Sequence, residues 1–435
     1  RDFEDLLIYL RNPRVRKTSV LLLAHEKNQA IDSFVSDRPD AQFLLWSNFS
    51  RIPTVIAQVL PKAAQVALPP APVPAPQPAP LPAPRPAPSP YPDENEGRAL
   101  VASYLPFPLN DRDGWAADIF SAFSALRIPV TPDNICAAIA VTEQESTFQA
   151  DPEVAGLSRI VWKEIDTRRE RLHLPKLLVD AALLKTSPDG RSYKARIDSL
   201  RTEKQMNALF EDMISELPAG KTLLGGYNPV RTGGPMQVSV AFAEEHVKEK
   251  GYPYPRRGSV RDEVFTRRGG MYFGIAILLD YPAPYSRPLY RFADFNAGRY
   301  SSRNAAFQDA VAKLTGQALA LDGDLLRYAD GVPAAEPSAT LAALQGLAGQ
   351  LGLSRSEMQR DLRLEKTARF SGTPLYSKVF ALADNRTGTR LPRETMPRID
   401  LKSPKIQRKL TTAWFAERVD ARHRTCLGRN RSATP

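Results

Sequence analysis

Three short segments of this 435-residue chain carry residue types that could do chemistry. The first is Val141-Thr142-Glu143-Gln144-Glu145-Ser146, at the end of an apolar run. A carboxyl leaving a buried helix into a cleft is partly desolvated. Desolvation disfavours the anion and raises the pKa, the condition a general acid needs near neutral pH. Glu143 and Glu145 both qualify. On a helix they diverge by about 200°, so they do not share one cleft. The second segment is Thr232-Gly233-Gly234-Pro235-Met236-Gln237-Val238. Its glycines and proline make a tight turn that lets backbone approach a ligand. Gln237 offers a donor and an acceptor suited to sugar hydroxyl and N-acetyl groups, and Met236 a soft apolar face. The third is Phe295-Asn296-Ala297-Gly298-Arg299-Tyr300. Here the small pair permits close packing, and the Asn296 amide can orient a carboxyl or a substrate amide.

The elements needed to position these groups read as helices. Asp113–Leu126 carries Trp115, Ile119, Phe120 and Phe123 at helical spacing. Thr131-Pro132-Asp133 supplies a hydroxyl cap with proline in the first turn. The following run, Ile135 to Val141, is apolar around its whole circumference, which predicts a helix buried on every side. Further helices are expected over 160–172, 174–184, 206–217, 236–250, 273–279 and 305–314, then over 339–351, 355–366 and 405–419.

Composition divides the chain. From Pro70 to Pro92 almost every second residue is proline, which predicts a polyproline II spacer. At about 3.1 Å per residue it reaches roughly 70 Å. Before it, residues 1–66 read as a small α/β segment of unknown role: a strand over 18–24, a short helix over 28–35 and a second strand over 41–46. The expected organisation is 1–66, a linker at 67–95, a helical domain at 96–318 with an insertion at about 150–230, and a C-terminal helical region at 319–435.

The net charge of +11 and an isoelectric point near 9.6 fit a solubility charge or attraction to an anionic polymer. No zinc-finger, RNA-recognition or homeodomain pattern accompanies it, so no nucleic-acid partner is expected. Four scattered histidines and two cysteines give no metal-ligand spacing, and no metal or cofactor is expected. Cys136 and Cys426 either stay free or form one bridge, which an exported protein would favour. No apolar run approaches the roughly 18 residues that span a bilayer.

Taken together and in this order, the Glu-Ser pair, the Gly-Pro-Met-Gln turn and the Phe-Asn-Ala-Gly segment resemble the signature of bacterial lytic transglycosylases. These are lysozyme-like enzymes that cut peptidoglycan glycan strands. The resemblance spans roughly residues 100–315, and the helix expected at Gly274–Tyr281 also looks like the family's. It implies a mainly α protein built on a lysozyme-like helical domain, with peptidoglycan as partner. The family's acid immediately precedes Ser, which selects Glu145 as the single catalytic acid and base. Ser146, Met236, Gln237, Asn296 and Tyr300 are then the substrate-binding residues, with Tyr300 compensating for the hydroxyl that Phe295 lacks. The implied reaction yields a 1,6-anhydromuramoyl end without a cofactor. The implied location is the periplasm, with outer-membrane association as in divergent envelope lipoproteins. Two other readings are a peptidoglycan-binding envelope protein that keeps the groove without the reaction, and a muramidase using water with Asp151 or Asp294 as helper.

Overall fold

The structure is a computed structural model that describes residues 20–24, 36, 41–45, 91–216, 228–256, 258–283, 285–329, 332–401 and 410–429. The expected helix at 28–35 and residues 70–90 of the proline spacer lie outside the described residues. The chain separates into two compact units, 1–85 and 86–435. In the first, β1 (Val20–Ala24) pairs in parallel with β2 (Ala41–Leu45), in the register Val20 to Ala41 through Ala24 to Leu45.

The second unit is mainly helical, and three apolar clusters organise it. It begins with α1 (Glu94–Tyr104), α2 (Arg112–Leu126) and α3 (Pro132–Glu145). The Thr131 hydroxyl accepts from Asn134 N at 3.3 Å, so the cap read from Thr-Pro-Asp forms. Every residue from Ile135 to Thr142 is buried, which explains why the apolar run has no polar face.

Next come α4 (Leu157–Arg171), α5 (Lys176–Leu183), α6 (Tyr193–Asp198) and α7 (Glu203–Ser215). Leu157, Leu183, Tyr193, Ile197 and Leu209 give this insertion a small core of its own. The chain then returns through β3 (Thr232–Gly233) and β4 (Val238–Ser239), an antiparallel hairpin. From it run α8 (Val240–Lys250), α9 (Val260–Val264), α10 (Arg267–Leu279) and α11 (Pro288–Ala297). The helix expected from residue 236 therefore starts only at Val240. Met236 and Gln237 belong to the hairpin turn, because Gly234 and Gln237 take positive φ (72° and 50°) incompatible with a helix.

The second cluster is built on α12 (Ser301–Thr315), the hairpin β5 (Tyr328–Ala329) with β6 (Val332–Pro333), and α13 (Ala339–Gln345). It is completed by α14 (Ala348–Leu351), α15 (Arg355–Leu362), a 3₁₀ turn at Ala368–Gly372 and α16 (Pro374–Thr387). The single helix expected over 339–351 is two short ones. Finally β7 (Asp400–Leu401) pairs with β8 (Leu410–Thr411) and leads into α17 (Thr412–Arg429).

The described residues beyond 319 thus divide their packing. Part completes the second cluster, whereas Phe415, Ala416, Val419 and Cys426 of α17 enter the first, alongside α3 and α11. At about 1.5–3 kcal/mol for a fully buried large apolar side chain, α17 is an integral part of that core and not an appendage. A Cys136–Cys426 disulfide fastens it to α3 across a sequence separation of 290 residues.

Candidate active site

The end of α3 is held from several sides. Thr142 donates its hydroxyl to Ala138 O at 2.9 Å and lies 3.6 Å from the Met271 sulfur of α10. Ser146, the C-cap, donates its own hydroxyl to Thr142 O at 3.1 Å. Thr147 and Phe148 then take positive φ, turning the chain sharply so that Phe148 packs edge-on to Trp115 with ring centroids 5.2 Å apart. The Arg267 guanidinium covers the Trp115 ring at 5.3 Å. The carboxyls part as the helical geometry requires. Glu143 pairs with Arg429 of α17 at 3.2 Å, while Glu145 stands half-buried at the last helical position.

The Gly-Pro-Met-Gln turn is fixed by close approaches that only small residues allow. A Cβ at Gly234 would lie 2.1 Å from Val264 O, at a φ of 72°. The Gln237 backbone N–H donates to Gly234 O at 3.1 Å. Among the described residues the Gln237 amide is held by long contacts: its nitrogen donates to Gly234 O at 3.4 Å, and its oxygen accepts from the Thr232 hydroxyl at 3.3 Å. Such bonds are near the weak end of the range and exchange readily for a better partner.

Helix α10 is the common wall. Its Met271 touches Thr142 of α3. On the same helix, a Cβ at Gly270 would meet Pro235 Cδ at 2.4 Å, and one at Gly274 would meet the Met236 sulfur at 2.3 Å. Glu145, one turn beyond Thr142, and the loop bearing Gln237 are therefore set against one element. Asp118 clamps the start of α10. It is buried, accepting from Arg267 Nε at 2.6 Å and Arg268 Nε at 3.2 Å. No pattern in the sequence links these residues, because they meet only after α2 and α10 pack.

The third segment is engaged elsewhere. The Phe295 ring stacks on Phe415 at 6.4 Å, and Asn296 Oδ1 accepts from the Thr412 hydroxyl at 2.7 Å. Tyr300 is the left-handed residue that starts α12, with its ring under the Arg303 guanidinium at 4.3 Å. Asp294 is the hub of this region. Its carboxylate accepts from Tyr300 N at 2.8 Å, Ser302 N at 2.7 Å, Tyr281 OH at 3.1 Å and Tyr285 OH. Burial raises its pKa, and these donors oppose the rise.

Several expected roles change accordingly. Met236 is wholly buried, Tyr300 nearly so, and the Ser146 hydroxyl is committed to the helix end. These three position the site rather than offering faces to a ligand. Asp294 is sealed inside its cluster and cannot serve as a second working carboxylate. Asp151 anchors the insertion, its Oδ2 accepting from the Thr202 hydroxyl at 3.0 Å, with burial raising its pKa. Glu145, Gln237 and Asn296 remain half-buried. Among the described residues no group of His, Cys, Asp or Glu could hold a metal ion, and no helix is long and apolar enough to cross a membrane.

Fold and site together define a mainly helical, disulfide-fastened protein in which the last turns of a buried helix and a glycine-rich turn pack against one common helix. The chain belongs to the DUF1615 family, described as a protein of unknown function, which matches residues 108–429. It is 54% identical over 329 residues to the uncharacterized protein YaiW of Escherichia coli (strain K12), covering 76% of this chain and 89% of that one. No solved structure matches the chain significantly.

Proposed function

We propose that this protein is a lysozyme-like peptidoglycan lytic transglycosylase acting in the periplasm. The observation carrying this reading is that α10 backs both the Glu145 end of α3 and the turn presenting Gln237. Ordinary glycosidases employ two carboxyls, but some recruit a group of the substrate in place of the second. Here Glu145 donates its proton to the oxygen linking N-acetylmuramic acid to N-acetylglucosamine, and that bond breaks. The muramoyl N-acetyl oxygen stabilises the positive charge at C1. The Glu145 carboxylate then takes the proton of the sugar's C6 hydroxyl as O6 bonds to C1, which closes the 1,6-anhydro ring without water. Gln237 is the donor and acceptor for the sugar's amide or hydroxyl groups. The buried Cys136–Cys426 bridge supports an oxidising compartment.

One observation favours a second reading, peptidoglycan binding without cleavage. Asn296 is already engaged by Thr412, and Tyr300 offers no open hydroxyl to replace the one absent from Phe295. Digestion of purified peptidoglycan by the wild type and by Glu145→Gln separates the two. Anhydromuropeptides from the wild type alone support the transglycosylase. Retention on peptidoglycan with no soluble product supports the binding protein, and reducing ends would overturn both.

A further inference from the structure

Away from the Glu145 site, a cavity of about 470 Å³ opens between α12, the 3₁₀ turn, α16 and the segment 390–394. That volume suits a small-molecule ligand. One wall is the Arg303 side chain, only 1% exposed. Its guanidinium donates to Asn304 Oδ1, to Thr367 O and Glu365 O, and to the Ser371 hydroxyl at 3.4 Å. All are neutral acceptors. No carboxylate among the described residues forms an ion pair with it; Asp294, whose charge reaches it, is engaged by the Tyr285 hydroxyl. A buried cation without a directly paired anion is expensive unless a charge of opposite sign comes to it.

The other lining groups divide into occupied and available ones. Arg393 is neutralised by Asp384, at 2.7 Å and 3.1 Å. Glu394 accepts from Ser286 N at 3.3 Å and from the Ser286 hydroxyl at 2.7 Å. By contrast, Arg390 is exposed at the rim and has no ion pair or hydrogen bond among the described residues. The Tyr376 hydroxyl likewise has no hydrogen bond there, and the Ser371 contact with Arg303 is long enough to give way. Tyr376, Leu391 and Pro392 add apolar surface.

We propose that this cavity is a binding site for a small carboxylate with an apolar body. The carboxylate would accept from the Tyr376 and Ser371 hydroxyls and from Arg390, in the field of Arg303. Charge-assisted bonds of this type are roughly twice as strong as neutral ones. Glu394 at the same wall disfavours a dianion, which selects a carboxylate over a phosphate. The inference is independent of glycan cleavage and stands or falls without it.

The test is calorimetric titration of the full chain with three probes: N-acetylalanine, N-acetylalanine amide and inorganic phosphate. The acid is expected to bind and the amide to bind at least about tenfold more weakly, with the loss of a charged hydrogen bond. Arg390→Gln and Tyr376→Phe, both at accessible atoms, should each weaken the acid about three- to tenfold. Absence of heat with every probe would overturn the proposal. So would equal binding of acid and amide, phosphate binding more tightly than the acid, or acid affinity untouched by both substitutions.

Discussion

Arg429, the last residue of α17, donates to both carboxylate oxygens of Glu143, at 3.2 Å and 3.3 Å. This pairing separates two carboxyls only two positions apart on one helix. Glu143 is bound to the C-terminal helix, whereas Glu145 stands half-buried at the last position of α3. Under the proposed reaction, Glu145→Gln should lower anhydromuropeptide release by at least about a thousandfold, because that reaction assigns both proton transfers to this one carboxyl. Glu143→Gln should leave the rate within about threefold and lower stability by roughly 0.5–1 kcal/mol, the range for a partly exposed ion pair. Rates on purified peptidoglycan with urea unfolding of both variants check this. Equal loss in the two would remove the distinction.

The seat of Met236 against Gly274 admits no added atom. A Cβ there would stand 2.3 Å from the sulfur. Gly274→Ala must push Met236 and the turn outward, with a destabilisation of about 1–3 kcal/mol typical of overpacking. Because Gln237 follows Met236 directly, the variant should also raise KM for glycan fragments more than it lowers kcat. A thermal melt and a KM measurement on Gly274→Ala test both statements. Gly349→Ala, where the added Cβ meets nothing within 4 Å, is the control.

Local chemistry made part of this molecule legible and long-range chemistry hid the rest. Thr131-Pro132 announced the start of α3, and the unbroken apolar run announced its burial, because capping and burial act within a few residues. The Gly-Gly-Pro turn was visible for the same reason. The burial of Met236 was not, since it depends on Gly270 and Gly274 more than thirty residues away. Nor could the sequence alone place Arg429 on Glu143 or Arg267 on Asp118, where a surface charge run and an internal ion pair read identically. Asp294 looked like a spare carboxylate. Its role as hub appears only when Tyr281, Tyr285 and the turn at Tyr300 converge on it.

The Cys136–Cys426 bond joins α3 to α17 across nearly the whole helical unit, and both residues are fully buried. Cross-links over long loops restrict the unfolded chain most, and about 2–4 kcal/mol is typical. The double variant Cys136→Ala/Cys426→Ala should therefore lose that amount of unfolding free energy in urea titrations, with a lower midpoint. The same variant loosens α17 from α3, so hydrogen exchange should accelerate across 412–429 before it does across 339–387. Unchanged midpoints for wild type and variant under oxidising conditions would show that the bond does not contribute.

Glu365 predicts a pH dependence whose sign is opposite to that of most carboxylates. It is fully buried, its carboxylate accepting from Tyr328 OH at 2.5 Å and from Leu325 N, and burial pushes its pKa up to about 7. In the unfolded chain a glutamate titrates near 4.3. The folded state thus holds the proton more tightly, and this contribution is fully present below the unfolded value. It is lost as pH rises towards 7, then stays constant. At ~1.4 kcal/mol per pH unit the loss over the whole window is of order 3–4 kcal/mol, of which roughly 2–3 kcal/mol falls above pH 5. Asp294, raised by burial, acts in the same direction, whereas His246, lowered by burial, loses stability as pH falls. The total profile mixes these with other shifted carboxyls such as Asp151 and Asp384, so the informative quantity is the difference between wild type and Glu365→Gln. The neutral amide keeps the shape and an acceptor for Leu325 N but cannot ionise. Urea unfolding at pH 5 and pH 8 should show the variant gaining on the wild type by about 1–3 kcal/mol at the higher pH. A difference independent of pH would mean that Glu365 keeps an ordinary carboxyl pKa in the folded protein, with Tyr328 and Leu325 fully offsetting its desolvation.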